Sequence, residues 1–174
     1  MPPDSQATRD LQAVLDAPGP AEAMAQSMKA AGNVLIGFTL VEEGDPDNSG
    51  NPAPAYLEDW AGFGQITPAT PGGSTDIGPR EGGVLTPAEA LGSAAHAGGF
   101  VNLLKDKDTA PRSENMARQF DQETYPPLSL AVAAAYLGTD PLGLKLNLKL
   151  PPETGNVQVG DRTIPIDFGG RVLV

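Results

Sequence analysis

The sequence predicts an α/β fold: a mixed sheet with flanking helices and a C-terminal antiparallel strand meander. Two observations carry this expectation. A helical pattern followed directly by an apolar strand occurs twice, and the segment from Leu144 onward alternates apolar and polar residues between glycine turns. An amphipathic helix is expected at about 6–16, where Leu11, Val14 and Leu15 share a face. A second begins at Pro20, which suits a first helical turn; Ala21, Met24, Ala25, Met28 and Ala31 follow at helical spacing, and Gly32 supplies the stop. Val34 to Leu40 is then apolar on both faces, as in a central strand covered on each side.

Residues 41–86 form a long Gly/Pro-rich acidic insertion. From Glu42 to Asp59 acids are interleaved with Pro46, Pro52, Pro54, Gly44 and Gly50 without a base, so a solvated surface loop is expected. A segment of this length must nevertheless hold short elements if it is ordered, and Tyr56 to Phe63, with Leu57 and Trp60, has the most to bury. Thr86-Pro87-Ala88-Glu89 reads as a capped start of a helix to about Ala95, followed by a strand from Gly98 to Leu104. The repeated helix-then-strand unit predicts parallel neighbours in the sheet.

Asn115 to Phe120 reads as a further strand. Pro126 and Pro127 open a helix that runs to Leu137 and stops at Gly138, with Leu128, Val132, Ala135 and Tyr136 facing inward. In the tail, Leu144, Leu146, Leu148 and Leu150, then Val157 and Val159, then Ile164 and Ile166, then Val172 to Val174 mark the meander. Its turns fall at Gly160-Asp161 and Gly169-Gly170.

A length of 174 residues fits one domain, 1–174. A net charge of −11, with most of the excess acid in the first half, repels phosphate backbones, so nucleic acid is not an expected partner. The absence of cysteine excludes disulfides, thiolate metal sites and Cys nucleophiles. Leu128 to Leu137, the most apolar stretch, is about half of the roughly 20 residues a membrane helix needs. The start lacks the basic and apolar regions of a signal peptide and the end is apolar; both point to a piece of a longer chain.

The catalytic patterns fail on their own terms. Gly62-Phe63-Gly64 lacks the third glycine of a dinucleotide loop, and Asp167-Phe168-Gly169 stands without the other kinase motifs and reads as a hairpin turn. Asp45, Asp47 and Ser49 begin like a calcium loop, but Tyr56 occupies the position of its bidentate Glu. His96 sits between alanines, without local partners for a base or a ligand. No cofactor and no metal is expected. Clefts in open sheets form beyond the carboxyl ends of parallel strands, which selects Glu42, Glu43, Lys105, Asp106, Asp108 and Arg112 as candidate ligand-binding residues.

Gly99, Val101 and Asn102, then Asp106-x-Asp108, then Arg112, then Tyr125-Pro126-Pro127-Leu128 with its helix, resemble the second type of CHASE domain, the cyclase/histidine-kinase-associated sensory extracellular domain. Ala31-Gly32-Asn33-Val34 and the closing pair around Asp167 and Gly170 agree with it. The resemblance covers about 20–40 and 96–174. Thr109-Ala110-Pro111 replaces the usual glycine of the aspartate turn, Ser113 stands at the second arginine position, and the family's N-terminal strand is missing.

The resemblance implies a non-enzymatic signal-input domain on the periplasmic face of a bacterial inner membrane, tethered through segments outside this sequence. Its parent is a receptor, commonly an adenylate or guanylate cyclase, sometimes a histidine or serine/threonine kinase. The implied partner is a small-molecule or periplasmic protein signal, and a homodimer is compatible with it. Two rival readings stand beside this one: a secreted α/β enzyme using carboxylates and His96, and an assembly module that only dimerises, through 41–86.

Overall fold

A computed structural model describes residues 19–42, 53–60, 62–73, 81–103, 110–140, 143–150, 153–167 and 169–173. The helix expected at 6–16 lies outside them, as do Asp45, Asp47 and Ser49 of the candidate calcium loop and Asp106 and Asp108. Helix α1 spans Pro20–Ala31 with proline in its first turn, and Gly32 ends it in the left-handed conformation at φ 68°. Strand β1, Leu35–Glu42, follows and is the middle of a three-stranded sheet. On one side it pairs antiparallel with β3, Glu81–Leu85; on the other it pairs parallel with β4, Ala97–Phe100, placing Phe38 opposite Phe100 and Gly37 opposite Gly99. The parallel neighbours read from the repeated helix–strand unit are therefore β1 and β4.

The 41–86 stretch supplies structure to both larger sheets. Besides β3 it contributes β2, Phe63–Thr67, and a 3-10 helix, Ala55–Trp60, whose Tyr56, Leu57 and Trp60 are buried. The surface loop expected to reach Asp59 thus gives way to a core element, because three large apolar side chains in one turn outweigh the acids on its outer side. Trp60 packs against Phe38 at a centroid distance of 6.0 Å and against Tyr56 at 4.9 Å. The short helix α2, Glu89–Gly92, starts two residues later than the Thr86 cap implied; Ala88 is its N-cap, and the Pro87 carbonyl instead accepts the Tyr56 hydroxyl at 2.8 Å.

Strand β4 consists of small residues and one phenylalanine, all buried. Its alternation sorts the two faces of the sheet. A Cβ on Gly98 would meet the Trp60 ring at 2.3 Å, whereas one on Gly99 would meet the backbone of helix α3, Leu128–Tyr136, at 2.6 Å. Glycine is needed at both because an aromatic ring lies on one face and a helix axis on the other. Helix α3 then turns Leu130 and Ala134 toward a second apolar cluster with Leu144, Leu146, Val157, Val159 and Ile166. Gripped from two sides, it buries Leu130, Ala131 and Ala134 and leaves Val132 and Tyr136 at 48% and 89% exposure. The inward face expected from the sequence is corrected accordingly: a helix apolar all round carries no period to choose a face, and the flat glycine strand chooses it.

The second sheet has the order β10-β9-β8-β2. Strands β8 (Leu144–Asn147), β9 (Gly155–Val159) and β10 (Arg162–Ile166) form the expected antiparallel meander, with Gly160 and Asp161 as the two-residue turn between β9 and β10. Strand β2 joins its edge parallel to β8. The expected strand at 115–120 is two strands, β5 (Ser113–Asn115) and β6 (Arg118–Phe120), broken at Met116 and Ala117, whose side chains are buried in the second cluster. Strand β7, Glu123–Tyr125, pairs with β6 across Asp121 and Gln122, both at positive φ. After the Gly169-Gly170 turn the chain leaves the meander: β11, Arg171–Leu173, pairs with β5.

Candidate functional site

The carboxyl ends of β1 and β4 are held together by a side chain. The Val101 N–H donates to the Phe38 carbonyl at 2.9 Å, continuing the parallel ladder past Phe100. At the next position the Leu40 N–H donates to Asn102 Oδ1 at 2.8 Å, and Asn102 Nδ2 donates to the Leu40 carbonyl at 2.6 Å. Leu40 is buried, so losing the amide strands two backbone groups away from water. Asn102→Leu is expected to cost about 2 kcal/mol in urea unfolding, whereas a loss within error of zero would remove this role.

Beyond that junction Glu42 is exposed at the end of β1, opposite Glu81 of β3. The Glu81 side chain is fully buried and accepts from Arg118 Nη1 at 2.6 Å; the Arg118 guanidinium also lies 5.7 Å from the Phe100 ring centre. Among the described residues Glu81 Oε2 and Arg118 Nε find no hydrogen-bond partner. Burial pushes the Glu81 carboxyl above the ordinary range, the charge and hydrogen bond of Arg118 offset this only in part, and the Glu42 carboxylate adds to it.

A groove of about 690 Å³, open to solvent, lies where β10, β11 and β5 meet. Its charged lining is Arg112, Asp167 and Arg171; its apolar lining is Pro165, Ile166, Val172 and Leu173. Asp167 organises one end. Its Oδ1 accepts from the N–H groups of Gly169 (2.8 Å) and Arg171 (2.9 Å), and its Oδ2 accepts from Arg171 Nε and Nη2, each at 3.0 Å. Partial burial works against the carboxylate, but the hydrogen bonds from the Arg171 backbone and side chain, the Arg171 charge and the Gly169 N–H outweigh it. The pKa of Asp167 therefore falls below the usual aspartate value, and the group is ionised at neutral pH. The Met116 N–H donates to the Gly170 carbonyl at 2.9 Å, and Ser129 at the start of α3 donates to Glu114 of β5 at 2.8 Å, so the groove wall is tied to the helix.

The family model described as the CHASE2 domain matches residues 3–174. The chain belongs to the CHASE2 family. No curated protein and no solved structure matches it. CHASE2 domains are sensory extracellular domains, not catalysts. Among the described residues no helix is long and apolar enough to cross a membrane, and no cluster of three His, Cys, Asp or Glu side chains is placed to hold a metal.

Most of the CHASE2 motif read from the sequence is packing. Gly99 and Leu128 are the two sides of one backbone contact, Asn102 ties Leu40, and Tyr125 is buried edge-on to Phe38 at 5.5 Å. The Pro126 carbonyl accepts the Phe100 N–H at 3.0 Å, and exposed Val101 lies over Gly37. Asp167 and Gly170 instead shape the groove. Of the candidate ligand-binding residues, Arg112 lines the groove; Glu42 stands at the far end of β1 beside Glu81; Glu43, Lys105, Asp106 and Asp108 lie outside the described residues. His96 is exposed at the bend before β4, its backbone N–H donating to the Val34 carbonyl at 2.8 Å. Arg171 and the Glu81–Arg118 pair were not selected in the sequence. Asp167 four residues before Arg171 was the available signal for the first, and the second has none, its partners being far apart in the chain.

Proposed function

We propose that this CHASE2 domain is the extracytoplasmic signal-input domain of a bacterial transmembrane receptor, with an adenylate or guanylate cyclase as its output, and that the Arg112–Asp167–Arg171 groove is where it receives its signal. The observation that carries this reading is the wall of that groove. Among the described residues strand β11 forms its ladder with β5 and is tied to the end of β10 by the Asp167 N–H, which donates to the Arg171 carbonyl at 2.9 Å, and β5 reaches α3 through the Glu114–Ser129 hydrogen bond. An occupant touching β11 and β5 thereby acts on a three-residue ribbon rather than on a broad sheet, and its differential contacts bias where that ribbon sits.

The test is a chimaera: the 174-residue domain, completed with membrane helices and placed in its periplasmic orientation on a cyclase reporter. Cyclic nucleotide output is expected to vary with the solutes supplied outside the inner membrane, and Val172→Asp in the groove wall is expected to alter that response. Output that is constitutive under every external condition would overturn the proposal.

A further inference from the structure

We infer that the Glu81–Arg118 pair is a proton-operated clasp, which holds β3 against β6 while the Glu81 carboxyl carries a proton and loosens that hold once it ionises. Little else fastens β3. It is an edge strand with a single ladder, to β1, and Val84 is its one buried apolar side chain; Gly82 and Gly83 have no side chain to pack, and Leu85 is half exposed. At its first residue the strand is held through Glu81, which reaches Arg118 of β6. Strands β3 and β6 belong to different sheets, so this contact joins two ribbons that share no ladder.

The pair is incompletely satisfied. Arg118 Nη1 donates to Glu81 Oε1 at 2.6 Å, while among the described residues Oε2 has no donor and Arg118 Nε no acceptor. An ionised carboxylate has about four lone-pair sites to fill, and a fully buried one cannot fill them from bulk water. The other charge turned toward it has the same sign. Strand β3 packs against β1 and β6; β6 presents Arg118, and β1 presents Glu42, directly opposite Glu81 at a break in the register. Like charges placed opposite each other on neighbouring strands repel. A proton on Oε2 removes the unsolvated charge and leaves Oε1 as a carbonyl acceptor for Arg118. The guanidinium retains a second partner in the Phe100 ring, 5.7 Å from its centre, so a neutral Glu81 does not leave it bare. The upward displacement of the Glu81 pKa agrees with this geometry.

Linkage fixes the direction of the response. When β3 swings out, Glu81 enters water and regains the ordinary value of 4.5, below that of the closed clasp. Closure is therefore strongest below 4.5 and is lost as pH rises through the pKa of the closed form. In a domain outside the inner membrane, external proton concentration is then an input in its own right, separate from the groove. Only that consequence rests on the reading proposed above.

The experiment is NMR on the 174-residue chain. The Glu81 carboxyl carbon is followed through its titration, and amide hydrogen exchange of β3 and β9 is measured at about pH 5 and about pH 8, corrected for the intrinsic rate. Glu81 is expected to titrate above 4.5, and the β3 amides to open more often than those of β9 at both pH values. The β3 opening constant is expected to rise at least about fivefold from the lower pH to the higher. Glu81→Gln, which keeps an acceptor for Arg118 and cannot ionise, is expected to hold β3 equally at both.

The clasp is overturned if Glu81 titrates at or below 4.5, if the β3 opening constant is the same at both pH values, or if β3 exchanges only together with β9. These three outcomes are read on the parent chain alone. A pH response that survives in Glu81→Gln overturns it as well. None of the measurements involves the groove or a receptor, so their failure leaves the proposed function standing, and a constitutive chimaera leaves the clasp standing.

Discussion

Arg118→Met is expected to destabilise the domain by about 4 kcal/mol, lowering its melting temperature by roughly 10 °C. The Glu81 side chain is fully buried and Arg118 is the cation that contacts it, so the substitution leaves a carboxylate without solvent or partner. The complementary experiment distinguishes the pair from its context. Glu81→Leu combined with Arg118→Met removes both charges and is expected to recover most of the loss, since a buried ion pair contributes little over well-packed apolar side chains. A double variant as unstable as Arg118→Met alone would count against this account.

The pH dependence has a definite sign. Glu81 has a folded pKa above its unfolded value of 4.5, so its contribution to stability is fully present below that value and is lost as pH rises through the folded one. Without Arg118 the folded pKa rises further. The single variant should therefore regain stability on moving from about pH 8 to about pH 5, more than the parent does, when both are followed by urea unfolding.

Gly99→Ala is expected to cost about 3 kcal/mol, the upper end of overpacking effects, and Gly37→Ala clearly less. The two glycines face each other across β1 and β4 and lie under the same helix, but their neighbours differ in kind. A methyl at Gly99 would stand 2.6 Å from both the nitrogen and the Cα of Leu128 and 2.8 Å from the Pro127 carbonyl carbon, all backbone at the root of α3. A methyl at Gly37 would meet the Val101 Cγ1 at 2.6 Å, the tip of a side chain that is 47% exposed and free to rotate outward. Thermal unfolding of the two variants settles the matter. Equal losses would show that α3 yields as readily as a valine methyl does.

The legible parts of this fold are those decided locally. Pro20 and Gly32 bracket α1, the apolar run through Phe38 and Leu40 marks a central strand, and Gly160-Asp161 marks a hairpin, because each depends on the preferences of a few adjacent residues. Long-range decisions were invisible. Nothing near Val132 or Tyr136 says that α3 turns them outward, since Gly99 and the second apolar cluster select its orientation. The same holds for β11, which follows a well-marked turn and then pairs with β5 instead of β10. At the candidate site Arg112 and Asp167 were picked out by motif, but only the folded chain brings them to one groove with Arg171. Asn102 was recognised as a motif residue while its work, closing the hydrogen-bond ladder at Leu40, required the partner strand to be in place.

The parallel pairing of β2 with β8 sets an order on how the chain acquires its shape. During translation Phe63–Thr67 emerges well before Leu144–Asn147 exists, and closing so long a loop carries an entropic penalty that slows the search. Until the last third has left the ribosome, that early strand presents an open edge to other nascent chains. Chaperone demand and proteolytic sensitivity during biogenesis should therefore concentrate on this region, even though in the finished molecule it is one of four strands in a sheet.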